Sequence, residues 1–218
     1  MIKKEVQELL TFMLVYDFSG EKIKTQASSI KSVRKRIEDL DKKLKKITRL
    51  KKNIEIIICL GLYAKDVRQY IYDKYSKYNI RVVENTEFTE SASCESLRIM
   101  LNNTINNNII ICQPNASINS KIISKTRKNH TYAVVSNEKK HNASISANVN
   151  NKNVVEHFSF GGSQEWKNCL IIREEDLVRD IRNKLNANCC NYKNKFIFEM
   201  INDVIAKQNT IKAIQIND

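Results

Sequence analysis

The chain has 218 residues, 42% of them hydrophobic and 28% charged, with 37 Lys and Arg against 24 Asp and Glu for a formal net charge of +13. That length and balance fit one globular domain spanning 1–218 with a real core, and no apolar stretch is long enough to cross a bilayer. The basic excess favours polyanionic partners: nucleic acid, nucleotide phosphates or an acidic surface.

The start, MIKKEVQELL, lacks a signal-peptide core, so a cytoplasmic protein is expected. The six cysteines agree with this. Cys59 and Cys112 lie in apolar runs and read as buried thiols, Cys189 and Cys190 are adjacent and poorly placed for mutual bridging, and no CxxC spacing offers a zinc site.

Leu9 to Tyr16 (LLTFMLVY) predicts a first strand, followed by the polar loop DFSGEKIKTQ. Ser28 or Ser29 is placed to cap a helix running to about Lys52, with Ile30, Val33, Ile37, Leu40, Leu44, Ile47 and Leu50 on one face. These positions nearly keep heptad spacing, but the stretch is short and core packing is the better reading. Much of the positive charge lies in 31–52, where no aromatic interleaves the basic residues. A solvated helix face is favoured there, with nucleic acid as the alternative partner.

Ile54 to Leu60 is an apolar run ending at Gly61, as in a strand buried on both faces. From Ala64 the period changes: Val67, Tyr70, Ile71 and Tyr75 recur at helical spacing, and Ile80 to Val83 supplies the next strand. Strand, helix and parallel strand make a βαβ unit and predict an α/β fold with a central mixed sheet flanked by helices. Downstream, a helix is expected over Glu95–Asn102, a strand over Asn108–Cys112, a helix over Ser117–Lys125 and a strand over Tyr132–Val135. The polar stretch Asn137–Asn153 predicts a hairpin. Strands Val154–Phe158 and Cys169–Ile172, helices Glu174–Leu185 and Phe196–Ile205, and the alternating segment Ile211–Ile216 complete the chain. Ser163 to Trp166 reads either as a loop over an acceptor pocket or as the flank of an anchoring core Trp.

The order of elements, with the loop Phe18-Ser19-Gly20-Glu21-Lys22, the segment Ile30-Lys31-Ser32-Val33, the Gly-Tyr turn of LGLYAKDV, the stretch RVVENTEFTESASCESL and the ending KFIFEMINDVI, resembles the sugar-phosphate and choline-phosphate nucleotidyltransferases. These have the glycosyltransferase A type of fold, a mostly parallel Rossmann-like sheet. The resemblance implies that Ser19, Gly20 and Lys22 meet a nucleoside triphosphate and that Lys22 and Lys31 contact phosphates, where cations stabilise the charge building on the α-phosphate and pyrophosphate. It implies a phosphorylated sugar or alcohol as acceptor and Mg²⁺ held by carboxylates. The metal positions fall on Asn115, after the strand Asn108–Cys112, and on Glu199 or Asp203 in the closing helix.

The departures from the pattern gather at that site. Asn115 is neutral where the family carries an Asp, Phe18 stands for the first glycine of the loop, and Ile30 for the proline before Lys31. The three histidines lie near no cysteine or acid at metal-ligand spacing. A non-catalytic descendant with a structural or interaction role among protein partners, in a larger assembly such as a virus particle, is therefore expected ahead of an active Mg²⁺-dependent nucleotidyltransferase. A glycosyltransferase of the same fold ranks third, because no acidic pair follows the Asn108 strand.

Overall fold

A computed structural model describes residues 8–17, 26–50, 53–117, 120–137 and 144–216; nothing is described of the side chains of 26–33 and 36. The strands are β1 (Leu10–Tyr16), β2 (Ile54–Leu60), β3 (Ile80–Glu84), β4 (Ile109–Cys112), β5 (Thr131–Ser136), β6 (Ile145–Val149), β7 (Val155–Phe160), β8 (Gln164–Ile172) and β9 (Ile211–Gln215). The helices are α1 (Gln26–Ile47), α2 (Ala64–Tyr75), α3 (Ser93–Leu101), α4 (Ser120–Lys125), α5 (Glu175–Ala187), α6 (Cys189–Tyr192) and α7 (Ile197–Ile205). Among the described residues no helix is long and apolar enough to cross a membrane.

All nine strands form one mixed sheet in the order β3-β2-β1-β4-β8-β5-β9, with β6 joined to β8 and β7 to β6. β3, β2, β1 and β4 run parallel, and β8 enters antiparallel between β4 and β5. β2 and β4 are interior strands, as their largely apolar runs require. Alternation sorts their side chains to two cores. Phe12, Leu14, Ile56, Ile58, Ile110 and Cys112 pack with α1, α2 and α4. Met13, Val15, Ile57, Cys59, Ile109 and Ile111 pack with α3, α5 and α7. Burying a side chain such as Ile57 fully contributes roughly 1.5–3 kcal/mol.

Leu40, Leu44 and Ile47 of α1 lie against the sheet, so its near-heptad spacing serves core packing. The helix begins at Gln26, which puts Ser28 and Ser29 inside its first turn rather than at its cap. Asp41 ties α1 to α2: its carboxylate accepts from the Tyr70 and Tyr75 hydroxyls, both at 2.7 Å, and pairs with Lys45 and Lys74 at 2.6 and 2.7 Å.

The expected hairpin is β6–β7, antiparallel and displaced toward the C-terminal side of Asn137–Asn153. The backbone of β7 is bridged by one amide of α7. Asn202 Oδ1 accepts from Phe158 N–H at 2.7 Å and its Nδ2 donates to Phe158 O at 2.8 Å, which covers part of an otherwise open strand edge. The loop reading of Ser163–Trp166 is corrected: β8 starts at Gln164, and Trp166 is core. Its ring packs 5.0 Å from Phe158 and its Nε1–H donates to Cys169 O at 3.1 Å, satisfying the one polar group that a buried indole carries.

Candidate functional site

The strand order fixes where a ligand crevice belongs. From β1 the chain winds outward through β2 and β3, then returns to place β4 on the other side of β1. Open α/β sheets bind ligands outside the carboxyl ends of their strands at such a reversal. Here that is the space beyond Tyr16 and Cys112.

On the face of α3, Asp17 follows β1 directly and is 1% exposed. Its carboxylate accepts from the Ser96 hydroxyl and from Asn85 Nδ2 at 2.9 Å. Asn85 Nδ2 is also within reach of Ser91 Oγ at 2.9 Å, while Asn85 Oδ1 accepts from Glu87 N–H at 3.1 Å. The turn after β2 closes against the same residue: a Cβ on Gly61 would stand 2.3 Å from Asp17 O and 2.8 Å from Phe88, so only glycine permits this approach. Tyr63, two residues on, has φ 58°.

On the face of α1, the Tyr16 hydroxyl donates to Asp39. Lys43, 4% exposed, donates to Tyr16 Oη at 2.7 Å and to Asp39 Oδ2 at 2.5 Å. Burial pushes the Asp39 carboxyl up, but hydrogen bonds from Lys43 and Tyr16, the Lys43 charge and the Asn115 backbone N–H together hold it below its ordinary value. Asn115 itself is exposed and has φ 63° in the turn after β4.

The wall beyond β4 is an irregularity in β8. The β5–β8 register shifts between Ala133 and Val135, and Asn168 takes φ 54° there. Asn168 O accepts from Gln113 N–H at 3.0 Å, and Lys167 O from Ser117 N–H at 3.4 Å, bracing the turn that carries Asn115. Lys167 is 8% exposed, with its ammonium 3.0 Å from Glu165. Bulges recur beside functional sites because they re-aim side chains.

Of the site residues expected from sequence, Ser19, Gly20 and Lys22 lie outside the described residues. Lys31 lies in the second turn of α1, and its side chain is likewise outside them. Asn115 is at the crevice. Glu199 and Asp203 are on α7, across the sheet. The Glu199 carboxylate accepts from Phe196 N–H at 2.7 Å, capping α7. Asp203 accepts from the Tyr192 hydroxyl at 2.7 Å and stands 3.6 and 3.9 Å from Lys195 and Lys184. Burial pushes its carboxyl up, and Tyr192 and the two lysines bring it below its ordinary value. The described contacts do not bring Asn115, Glu199 and Asp203 together.

Among the described residues no three His, Cys, Asp or Glu side chains converge on a point where a metal ion fits. The carboxylates nearest the crevice are already engaged by internal donors, and Asn115 adds no charge. Among the described residues this donor set does not fit a bound Mg²⁺. Sequence reading passed over Asp17, Asp39, Lys43 and Lys167. Lys43 had a signal, since it falls three residues after Leu40 and four before Ile47, on the buried stripe of α1.

No family model and no curated protein matches the chain. Solved structures do. The inositol-1-phosphate CTP transferase from T. maritima superposes with a TM-score of 0.73 at 9% identity, over 96% of this chain and 86% of that one. A putative glucose-1-phosphate thymidylyltransferase from Bacillus anthracis gives 0.68 at 9% identity, over 95% and 87%. The CTP:phosphocholine cytidylyltransferase from Streptococcus pneumoniae gives 0.62 at 13% identity, over 97% and 91%. The fold is that of the nucleotidyltransferases. The frame that the sequence predicts, an α/β sheet layered by helices, is thus shared with these proteins over 95–97% of this chain.

Proposed function

We propose that the chain is a non-catalytic protein of nucleotidyltransferase fold that acts through its surfaces, as a structural or interaction component of a larger cytoplasmic or virion assembly. The observation that carries this reading is the state of the crevice: Asn115 is neutral, and the Asp17 and Asp39 carboxylates are held by internal partners. Nucleotidyl transfer relies on a divalent cation to neutralise and align phosphate oxygens, and a neutral ligand forfeits several kcal/mol of attraction to that cation on the order expected for a partly buried charge.

The surface most suited to a partner is the outer face of α1 and the turn after it. Arg34, Lys35, Lys42, Lys45, Lys46 and Arg49 are exposed there, with Glu38 the acid among them. Basic residues repeating at helical spacing make a stripe that suits an acidic protein surface or a nucleic-acid backbone. The test of inactivity is pyrophosphate release over a panel of nucleoside triphosphates and phosphorylated acceptors with Mg²⁺. No turnover is expected. Robust turnover that disappears in Lys31→Ala would overturn the reading.

A second reading, an active nucleotidyltransferase, is favoured by Lys167, a nearly buried cation at the bulge beside β4, and by the transferase activities for which the structural neighbours are named. In that reading Ser19 and Gly20 offer backbone N–H groups, Lys22 and Lys31 bind phosphate, and a phosphorylated sugar or alcohol is the acceptor.

A further inference from the structure

Cys112 and Cys169 stand directly opposite one another on the antiparallel pair β4–β8. The next opposed pair, Gln113 and Asn168, is joined by a hydrogen bond from Gln113 N–H to Asn168 O at 3.0 Å. Hydrogen-bonded and non-hydrogen-bonded pairs alternate along an antiparallel ladder, so Cys112 and Cys169 occupy a non-hydrogen-bonded position. Opposed Cα atoms at such positions lie about 4.5 Å apart, within the roughly 4.4–6.8 Å that a disulfide spans. Both side chains point to the face of α1 and belong to the same core cluster. The Cys112 side chain is close enough to act on the Cys169 thiol. The remaining cysteines are placed otherwise: Cys94 and Cys59 are buried on the α3 face, and Cys189 and Cys190 are exposed neighbours in α6.

We propose that Cys112 and Cys169 form an oxidisable pair that a peroxide-class oxidant closes to a disulfide, pinning β4 to β8 immediately before the turn of Gln113, Pro114 and Asn115. The inference stands on strand register and does not depend on whether the crevice above it is catalytic. The Cys112 side chain and burial push the Cys169 thiol well above its ordinary value, and the Lys43 ammonium acts the other way. A small neutral oxidant suits so enclosed a site; a bulky disulfide does not. Cys169, 3% exposed against 0% for Cys112, is the sulfur oxidised first. The Cys169 thiol gives up its proton as its sulfur attacks one oxygen of hydrogen peroxide, the O–O bond breaks, and the departing hydroxide leaves with that proton as water. Cys112 sulfur then displaces the hydroxyl of the Cys169 sulfenic acid, which leaves with the Cys112 proton as a second water. In sum, two thiols and one peroxide give one disulfide and two waters.

The experiment uses the full chain, native, with hydrogen peroxide, followed by alkylation in denaturant and non-reducing peptide mapping. The expected result is a linked pair of peptides carrying Cys112 and Cys169, about 2 Da lighter than their sum and separated by reductant. Cys189 and Cys190 report that oxidant was present. Full alkylation of Cys112 and Cys169 after the surface cysteines are consumed would overturn the proposal. In Cys112→Ala, Cys169 should be trapped as the sulfenic acid by a dimedone probe; if that variant does not fold, the wild-type map alone decides. In a Cys189→Ser, Cys190→Ser background the oxidised protein should melt about 5 °C higher than the reduced protein, as a cross-link across two core strands gives. A lower melting temperature would defeat the pinning role.

Discussion

Asp17 and Asp39 approach the end of β1 from the two faces of the sheet, and they are held in different ways. Asp17 is 1% exposed, and its donors come from residues 68 and 79 positions away, Asn85 and Ser96. The Asp39 side chain is 34% exposed, and its cation, Lys43, is one helical turn along α1. The first network exists only when β1, β3 and α3 are assembled. The second is half-formed in any helical α1 and needs the fold only to bring Tyr16 and the Asn115 N–H to it.

The largest expected effect breaks the long-range network. Asp17→Ala leaves the Ser96 hydroxyl and the Asn85 amide without their charged acceptor in a buried site. Hydrogen bonds to charged groups each contribute about 1.5–3 kcal/mol, so a loss of about 3 kcal/mol or more in urea unfolding is expected. A loss under about 1 kcal/mol would mean that water or a neighbour replaces the carboxylate and that the network does not hold the strand ends together.

Next is the ion pair. Lys43→Met removes a buried ammonium and leaves Asp39 half-buried with Tyr16 and the Asn115 N–H; about 2 kcal/mol is expected, less than for a fully buried pair because Asp39 is partly solvated. The double variant Lys43→Met, Asp39→Leu should recover most of that loss, since it strands no charge. The pH dependence follows in sign. The folded carboxyl of Asp39 titrates below its ordinary value of 3.8, so its contribution is present above that value and is lost as the pH falls below it toward the folded pKa. The wild-type advantage over Lys43→Met, measured by denaturation at about pH 6 and again at about pH 3, should therefore shrink at the acid end. An unchanged difference would show that Lys43 acts by packing rather than by charge.

The same contrast explains what was legible in the sequence. β2 and β4 were readable because strands buried on both faces are nearly continuous apolar runs, broken in β2 only by Glu55, and α2 because its period is 3.6. β8 was cut short because Gln164 to Lys167 is mostly polar and the strand is interrupted by the bulge at Asn168, so no alternation survives there. At the site, Lys43 betrayed itself by sitting on the apolar stripe of α1. Asp17 carried no comparable mark. A single acid after an apolar strand looks like any polar loop, and its partners are set by topology rather than by spacing.

The smallest effect on stability, and the sharpest test of the crevice, is Asn115→Asp. Asn115 is exposed in a turn with positive φ, a conformation that Asp tolerates nearly as well as Asn, so stability at neutral pH should change by less than about 0.5 kcal/mol. Its backbone N–H already faces the Asp39 carboxylate. A second carboxylate in that turn places two negative charges near one another, which raises the Asp39 pKa and creates a site that a divalent cation can relieve. Mg²⁺ should then raise the melting temperature of Asn115→Asp in a concentration-dependent way, as binding to the native state requires, while leaving the wild type unmoved. Equal Mg²⁺ stabilisation of wild type and variant would show that the natural crevice already holds the metal, and would turn the balance between the two functional readings toward the enzyme. No stabilisation of either would place the lost charge elsewhere in the crevice than at residue 115. Lys43→Met combined with Asn115→Asp extends the comparison: without the ammonium that occupies Asp39, both carboxylates are available, and the response to Mg²⁺ should exceed that of Asn115→Asp alone.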